Sequence, residues 1–127
     1  MAGEPILIVD DNEVNLRLAC LLLAGEGYEV RTAGDAEEAL ALLQGCRPRL
    51  ILMDLQMPGM DGFELARRLK ADPATRGIVL MALTAYAMKG DEERALQAGC
   101  DAYVAKPIDT RTLPALIARL LDGRRPE

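Results

Sequence analysis

Three short runs of unbroken aliphatic character, Ile6–Val9, Leu50–Met53 and Ile78–Leu83, constrain the fold more than any other feature of the chain. None alternates apolar with polar residues. A strand of this kind has both faces buried, so it needs cover above and below. Two weaker candidates, Tyr28–Thr32 and Ala102–Ala105, alternate or are short, and the first belongs nearer a sheet edge. Amphipathic stretches lie between the runs, giving strand–helix repeated five times. That order predicts an α/β architecture: a five-stranded parallel sheet, doubly wound, with helices on both faces.

The helical stretches carry their own punctuation. Val14, Leu18, Leu21 and Leu22 fall at i, i+4, i+7 and i+8, and Leu113, Leu116, Ile117, Leu120 and Leu121 repeat that spacing. Each set reads as one apolar stripe facing the sheet. Asp35 with Glu38, and Asp61 with Glu64, have the spacing of a capping box. Gly25, Gly27, Gly45 and Gly99 sit where helices end and a left-handed residue is often required. Pro114 interrupts the last pattern unless it lies in the first turn, which puts the helix start near Thr110 to Thr112. The tail from Gly123 to Glu127 reads as frayed.

Length and composition then exclude whole classes. A chain of 127 residues supports one domain, 1–127, with a core over about 5–122. Aromatics make up 3% and Trp is absent, so the core is aliphatic and no stacking platform for single-stranded nucleic acid exists. The net charge of -5 also argues against direct nucleic-acid binding. The absence of His removes Ser-His-Asp and Cys-His catalysis and the commonest zinc ligand. Cys20, Cys46 and Cys100 are odd in number and widely spaced, which fits buried thiols in a reducing cytoplasm rather than disulfides. Ile6–Val9 is too short for a signal or a membrane span, so a cytoplasmic protein without membrane contact is expected.

In an open α/β sheet, ligands bind beyond the carboxyl ends of the strands. The buried runs lead into Asp10-Asp11, Asp54 and Thr84, and the last strand candidate leads into Lys106-Pro107. Three carboxylates gathered there repel: two unit charges about 4 Å apart cost roughly 4 kcal/mol at an effective dielectric of 20. Lys106 offsets part of this. A hard divalent cation would offset the rest, and carboxylates with water suit magnesium, Mg²⁺, with Mn²⁺ as the alternative. Helix capping would account for one Asp of the Asp10-Asp11 pair. It leaves the second, and Asp54 on another strand, unexplained.

Four motifs in this order resemble the receiver domain of two-component response regulators. They are Ile8-Val9-Asp10-Asp11-Asn12, the segment from Met53 to Gly62, Ala82-Leu83-Thr84-Ala85 and Tyr103-Val104-Ala105-Lys106-Pro107, and the match runs from Ile6 to about Leu121. The resemblance implies a flavodoxin-like (βα)5 fold with strand order 2-1-3-4-5. It also implies that Asp54 is the phosphoacceptor, taking a phosphoryl group from a phosphohistidine. Asp11, Asp54 and the Gln56 backbone carbonyl would ligate Mg²⁺, with Asp10 acting through a water. Thr84 would hydrogen-bond the phosphoryl group and Lys106 would pair with it. Thr84 and Tyr103 would form the switch that repacks the surface of the fourth helix, fifth strand and fifth helix. Gln56 and Tyr86, each two residues past a site residue, would tune the phosphoryl lifetime.

The implied partners are a histidine kinase or histidine phosphotransfer protein and a downstream protein target. The first helix, with Val14 and Leu18, is the usual docking surface for the donor, although the spacing alone favours Leu18 as core. The opening Asp10-Asp11-Asn12-x-x-Asn15-Leu16, together with Gln56, resembles receivers of hybrid kinases and some single-domain, chemotaxis-type regulators. The initiating Met and compact ends favour a single-domain regulator over a receiver fragment of a hybrid histidine kinase. Such a chain is a signalling switch that catalyses only its own phosphorylation and dephosphorylation. The competing reading is an Asp-nucleophile phosphohydrolase of haloacid dehalogenase type, but that family wants an Asp where Gln56 stands. A nucleotide or flavin site is disfavoured because no Gly-rich phosphate loop follows the first strand.

Overall fold

The structure, a computed structural model, describes residues 4–55, 59–84, 91–105 and 110–123. Five strands and five helices alternate: β1 (Pro5–Val9), α1 (Glu13–Gly25), β2 (Glu29–Ala33), α2 (Ala36–Leu42), β3 (Leu50–Asp54), α3 (Gly62–Ala71), β4 (Val79–Thr84), α4 (Asp91–Gln97), β5 (Ala102–Ala105) and α5 (Leu113–Gly123). The strands form one sheet in the order β2-β1-β3-β4-β5, and all four pairings are parallel. This is the expected flavodoxin-like arrangement, with β2 at an edge.

The two cores explain why the central runs lack alternation. Successive side chains of a strand point to opposite faces. Leu7, Val9, Ile51, Met53, Leu80 and Ala82 enter one core with Ala39 of α2, Leu65 and Leu69 of α3, and Ala95 of α4. Ile6, Ile8, Leu50, Leu52, Val79 and Met81 enter the other with Ala19 and Leu23 of α1 and Leu113, Ile117 and Leu121 of α5. Both faces are covered, so both must be apolar. The outer strand β2 is different: of its five residues only Ala33 is buried.

Most punctuation holds. Asp35 accepts from the Glu38 amide (2.8 Å), and Asp61 accepts from the Glu64 amide (2.9 Å). The capping boxes are not reciprocal, however: Glu38 returns to Gly34 N–H instead, and Glu64 pairs with Arg68. The last helix begins at Leu113, with Leu116 N–H donating to Thr112, so Pro114 lies in the first turn as expected. Gly27 and Gly99 have positive φ (95° and 109°), whereas Gly25 and Gly45 do not. Those two helix ends close with ordinary backbone.

One expectation is overturned. The α1 stripe of Val14, Leu18 and Leu21 faces outward, with exposures of 74%, 40% and 70%. The sheet-facing residues are Ala19 and Leu23, flanked by Leu16 and Leu22. Leu18 is therefore surface rather than core. The reason is that the segment from Leu16 to Leu23 is apolar on more than one face, and the small Ala19 permits the closest approach to the sheet. Of the cysteines, only Cys100 is buried; Cys20 and Cys46 are half-buried, and all three are free.

At the end of the sheet away from the strand carboxyl termini, Arg49 ties three elements. Its guanidinium pairs with Glu4 and donates to the Leu121 carbonyl of α5 (3.4 Å), and its amide donates to Pro5 of β1 (2.8 Å). On the α3–α4 side, the Arg94 guanidinium stacks 4.2 Å from the centre of the Phe63 ring. Among the described residues, no helix is long and apolar enough to cross a membrane.

Candidate functional site

The carboxyl ends of β1, β3 and β4 lie side by side and carry Asp10 and Asp11, Asp54, and Thr84 respectively. β1 ends at Val9, but the ladder runs one residue further, because Asp10 N–H donates to Ala33 O at 3.1 Å. That bond holds Asp10 on the rim with 1% of its surface exposed. Its Oδ1 accepts from the Asn12 amide (2.9 Å), turning the chain sharply out of the strand. Asn12 then caps α1, accepting from the amides of Val14 (2.9 Å) and Asn15 (3.1 Å).

Neither Asp10 nor Asp11 is the cap, so capping explains neither carboxylate. The signal for this cap is an Asn placed just before an acidic first-turn residue, Glu13. Asp54 is the last residue of β3, opposite Leu83 of β4, and Leu55 N–H extends that pairing to Leu83 O (2.9 Å). Asp54 is 4% exposed, and Thr84, the last residue of β4, is fully buried.

One carboxylate oxygen from each of Asp10, Asp11 and Asp54 falls within 4.8 Å of the others. Asp10 and Asp54 are buried while Asp11 is exposed, so the cluster opens to solvent on one side. The donor set is all oxygen and triply charged. It fits a hard divalent cation of the Mg²⁺ type and suits neither zinc nor a soft metal.

The start of α3 is tied back to the end of β3. Gly59 has φ +78°, and Gly62 N–H donates back to Leu55 O at 3.1 Å. Tyr103 lies mid-strand in β5, opposite Ala82, half-buried against the core that also holds Met60. Gln56, Met57, Pro58, Ala85, Tyr86, Lys106, Pro107 and the tail from Arg124 to Glu127 lie outside the described residues.

Residues 6–118 match the family model described as the response regulator receiver domain. The chain belongs to that family. The receiver domain is 48% identical over 105 residues to the polar-differentiation response regulator DivK of Brucella anthropi, a match covering 83% of this chain and 85% of that one. Among solved structures, it resembles the receiver domain of a signal transduction histidine kinase from Syntrophus aciditrophicus, with a TM-score of 0.89, 35% identity and coverage of 98% and 96%. It also resembles a CheY-like receiver domain protein from Methanospirillum hungatei, with a TM-score of 0.89, 35% identity and coverage of 97% of each chain. It is thus the receiver domain of a two-component response regulator, a signalling protein.

Proposed function

We propose that this receiver domain takes a phosphoryl group from a phosphohistidine onto Asp54 and thereby switches the surface formed by α4, β5 and α5. The observation that carries the reading is the meeting of Asp10, Asp11 and Asp54 within 4.8 Å on one rim. Three carboxylates there, two of them buried, are costly to the fold and make sense as a cation-dependent site.

In the transfer, an Asp54 carboxylate oxygen gives an electron pair to phosphorus. The P–N bond to the donor imidazole breaks and its electron pair stays on the ring nitrogen; because the other ring nitrogen carries a proton, the imidazole leaves neutral. Phosphoryl transfer asks for in-line placement and charge neutralisation more than covalent help. Asp11, Asp54 and the Gln56 carbonyl would hold Mg²⁺, with Asp10 contributing through water. When bound, the ion neutralises the carboxylates and the phosphoryl oxygens. Thr84 would donate its hydroxyl to the phosphoryl group, and Lys106 would pair with a phosphoryl oxygen. Gln56 and Tyr86 would set how readily water reaches the acyl phosphate.

Phosphorylation adds about 1.5 to 2 negative charges beside Thr84. Thr84 and Tyr103 stand on neighbouring parallel strands, β4 and β5, so a shift of Thr84 toward the new charge opens room behind it for the Tyr103 ring. The donor would dock on α1, where Val14, Leu18 and Leu21 present an apolar face to solvent. The partners in this reading are a histidine kinase or histidine phosphotransfer protein and a downstream protein, in the cytoplasm, where free thiols persist.

The test is direct. With acetyl phosphate and Mg²⁺, intact-mass measurement should show one added phosphoryl group, and Asp54→Asn should show none. Full labelling of that variant would refute the assignment.

A further inference from the structure

α3 begins unusually close to the strand that carries the acceptor. A Cβ placed on Gly62 would lie 2.6 Å from the Asp54 carbonyl oxygen, 2.7 Å from Leu55 Cα and 3.1 Å from Leu55 Cδ2. Two of these atoms are backbone and cannot turn aside as a side-chain tip can. The approach is reinforced by Gly62 N–H donating to Leu55 O (3.1 Å) and by Asp61 capping the Glu64 amide (2.9 Å). Gly62 has no positive φ, so its conformation does not require glycine. What requires glycine is the space.

We infer that Gly62 is a positioning residue for phosphoryl acceptance: by lacking a Cβ it seats the first turn of α3 against the Asp54–Leu55 peptide and fixes the aim of the Asp54 carboxylate. The inference rests on Asp54 being the acceptor. The other turn glycine of that return, Gly59, has open space around its Cβ direction, as do Gly25, Gly45 and Gly77. Gly99 also has a close neighbour, but it is the flexible Lys70 side chain (Cγ at 2.5 Å), so among these glycines Gly62 alone is set against backbone.

A methyl group at this position must push the peptide and the helix start apart by several tenths of an ångström or more to reach ordinary contact. The reacting oxygen is one side chain away from that peptide. Misplacement of about 1 Å can cost on the order of 100-fold in a positioned reaction. The step affected is the attack itself: an Asp54 oxygen bonds to phosphorus while the P–O bond of an acyl phosphate breaks and its electron pair leaves on the carboxylate product.

The experiment compares wild type, Gly62→Ala and the control Gly45→Ala. Phosphoryl uptake is followed at saturating acetyl phosphate and Mg²⁺, Mg²⁺ affinity is measured by calorimetry, and folding is measured by urea denaturation. The expected result is a saturating rate at least about tenfold lower in Gly62→Ala, well below its melting transition, with wild-type behaviour in Gly45→Ala. A rate equal to wild type in folded Gly62→Ala, with only stability lowered, would overturn the inference and leave Gly62 a packing residue.

If Gly62→Ala does not fold, Asp61→Ala loosens the same turn without adding bulk. There, a severalfold lower saturating rate supports the inference and an unchanged one overturns it. Failure of wild type itself to take up phosphate would instead strike at Asp54 as acceptor, so the two claims fail separately.

Discussion

The ammonium of Lys70, near the end of α3, stands 3.3 Å from Asp101 Oδ2 at the entry to β5. The same Nζ donates to the carbonyls of Arg76 (3.1 Å) and Ile78 (3.0 Å), while Asp101 Oδ2 also accepts from Leu80 N–H (2.9 Å). One half-buried cation thus binds α3, the following turn and the starts of β4 and β5. Lys70→Met should cost about 1.5–3 kcal/mol of unfolding free energy, because it removes charge-assisted bonds and leaves Asp101 without its counter-charge. Urea denaturation measures it; a loss under about 0.5 kcal/mol would show that the network is replaced by water.

Asp54→Asn should stabilise the cation-free protein. With one oxygen of each carboxylate within 4.8 Å of the others, each like-charge pair costs roughly 3 kcal/mol at an effective dielectric of 20, less where solvent screens Asp11 and where a Lys106 counter-charge would offset it. Removing one charge should raise unfolding free energy by about 1–2 kcal/mol without Mg²⁺. Wild type should gain stability as Mg²⁺ is added, and the variant much less. Thermal melts with and without Mg²⁺ read both effects; equal Mg²⁺ responses would mean that the ion binds elsewhere.

Val14→Glu and Leu21→Glu alter residues that are mostly solvent-exposed, so stability should change by less than about 0.5 kcal/mol. Phosphoryl uptake from acetyl phosphate should be unaffected. Transfer from a phosphohistidine protein that labels wild type should fall by about tenfold or more, since an apolar contact would be replaced by a buried charge. Undiminished transfer would place the donor on another face.

Burial pushes the Cys100 thiol up to about 11 from its ordinary value of 9.0, with Asp101 adding to the rise and Lys70 opposing it. Between those values the unfolded chain loses its thiol proton while the folded chain retains it, so stability is full below about pH 9 and declines toward pH 11. The decline attributable to Cys100 is on the order of 2 kcal/mol. Denaturation at pH 8 and pH 10.5 should show a smaller drop in Cys100→Ala than in wild type. At neutral pH, a thiol reagent should modify Cys20 and Cys46 well before Cys100.

How far the sequence could be read depends on what each residue had to satisfy. β3 is bounded as its apolar run and terminal Asp54 suggest, because a strand buried on both faces admits no polar residue until it reaches the rim. Asp35 and Asp61 cap as expected, since capping is a local bond. α1 defeated the reading because two apolar phases overlap in it: Val14–Leu18–Leu21 and Ala19–Leu23. Spacing cannot choose between them; only the sheet, which accepts the small Ala19 at close range, decides. The meeting of Asp10, Asp11 and Asp54 followed from strand order. A glycine directly after the Asp61 cap points to close packing of α3, but which atoms Gly62 meets, the Asp54–Leu55 peptide, is a matter of tenths of an ångström that no periodicity encodes.

The outer strand β2 offers solvent a salt-linked Glu29 and Arg31 (3.4 Å) beside Thr32. A margin dressed in charge is a poor template for a foreign strand. Joining of molecules along this flank into a continuous ribbon is thereby discouraged, and encounters are steered away from the β2 margin.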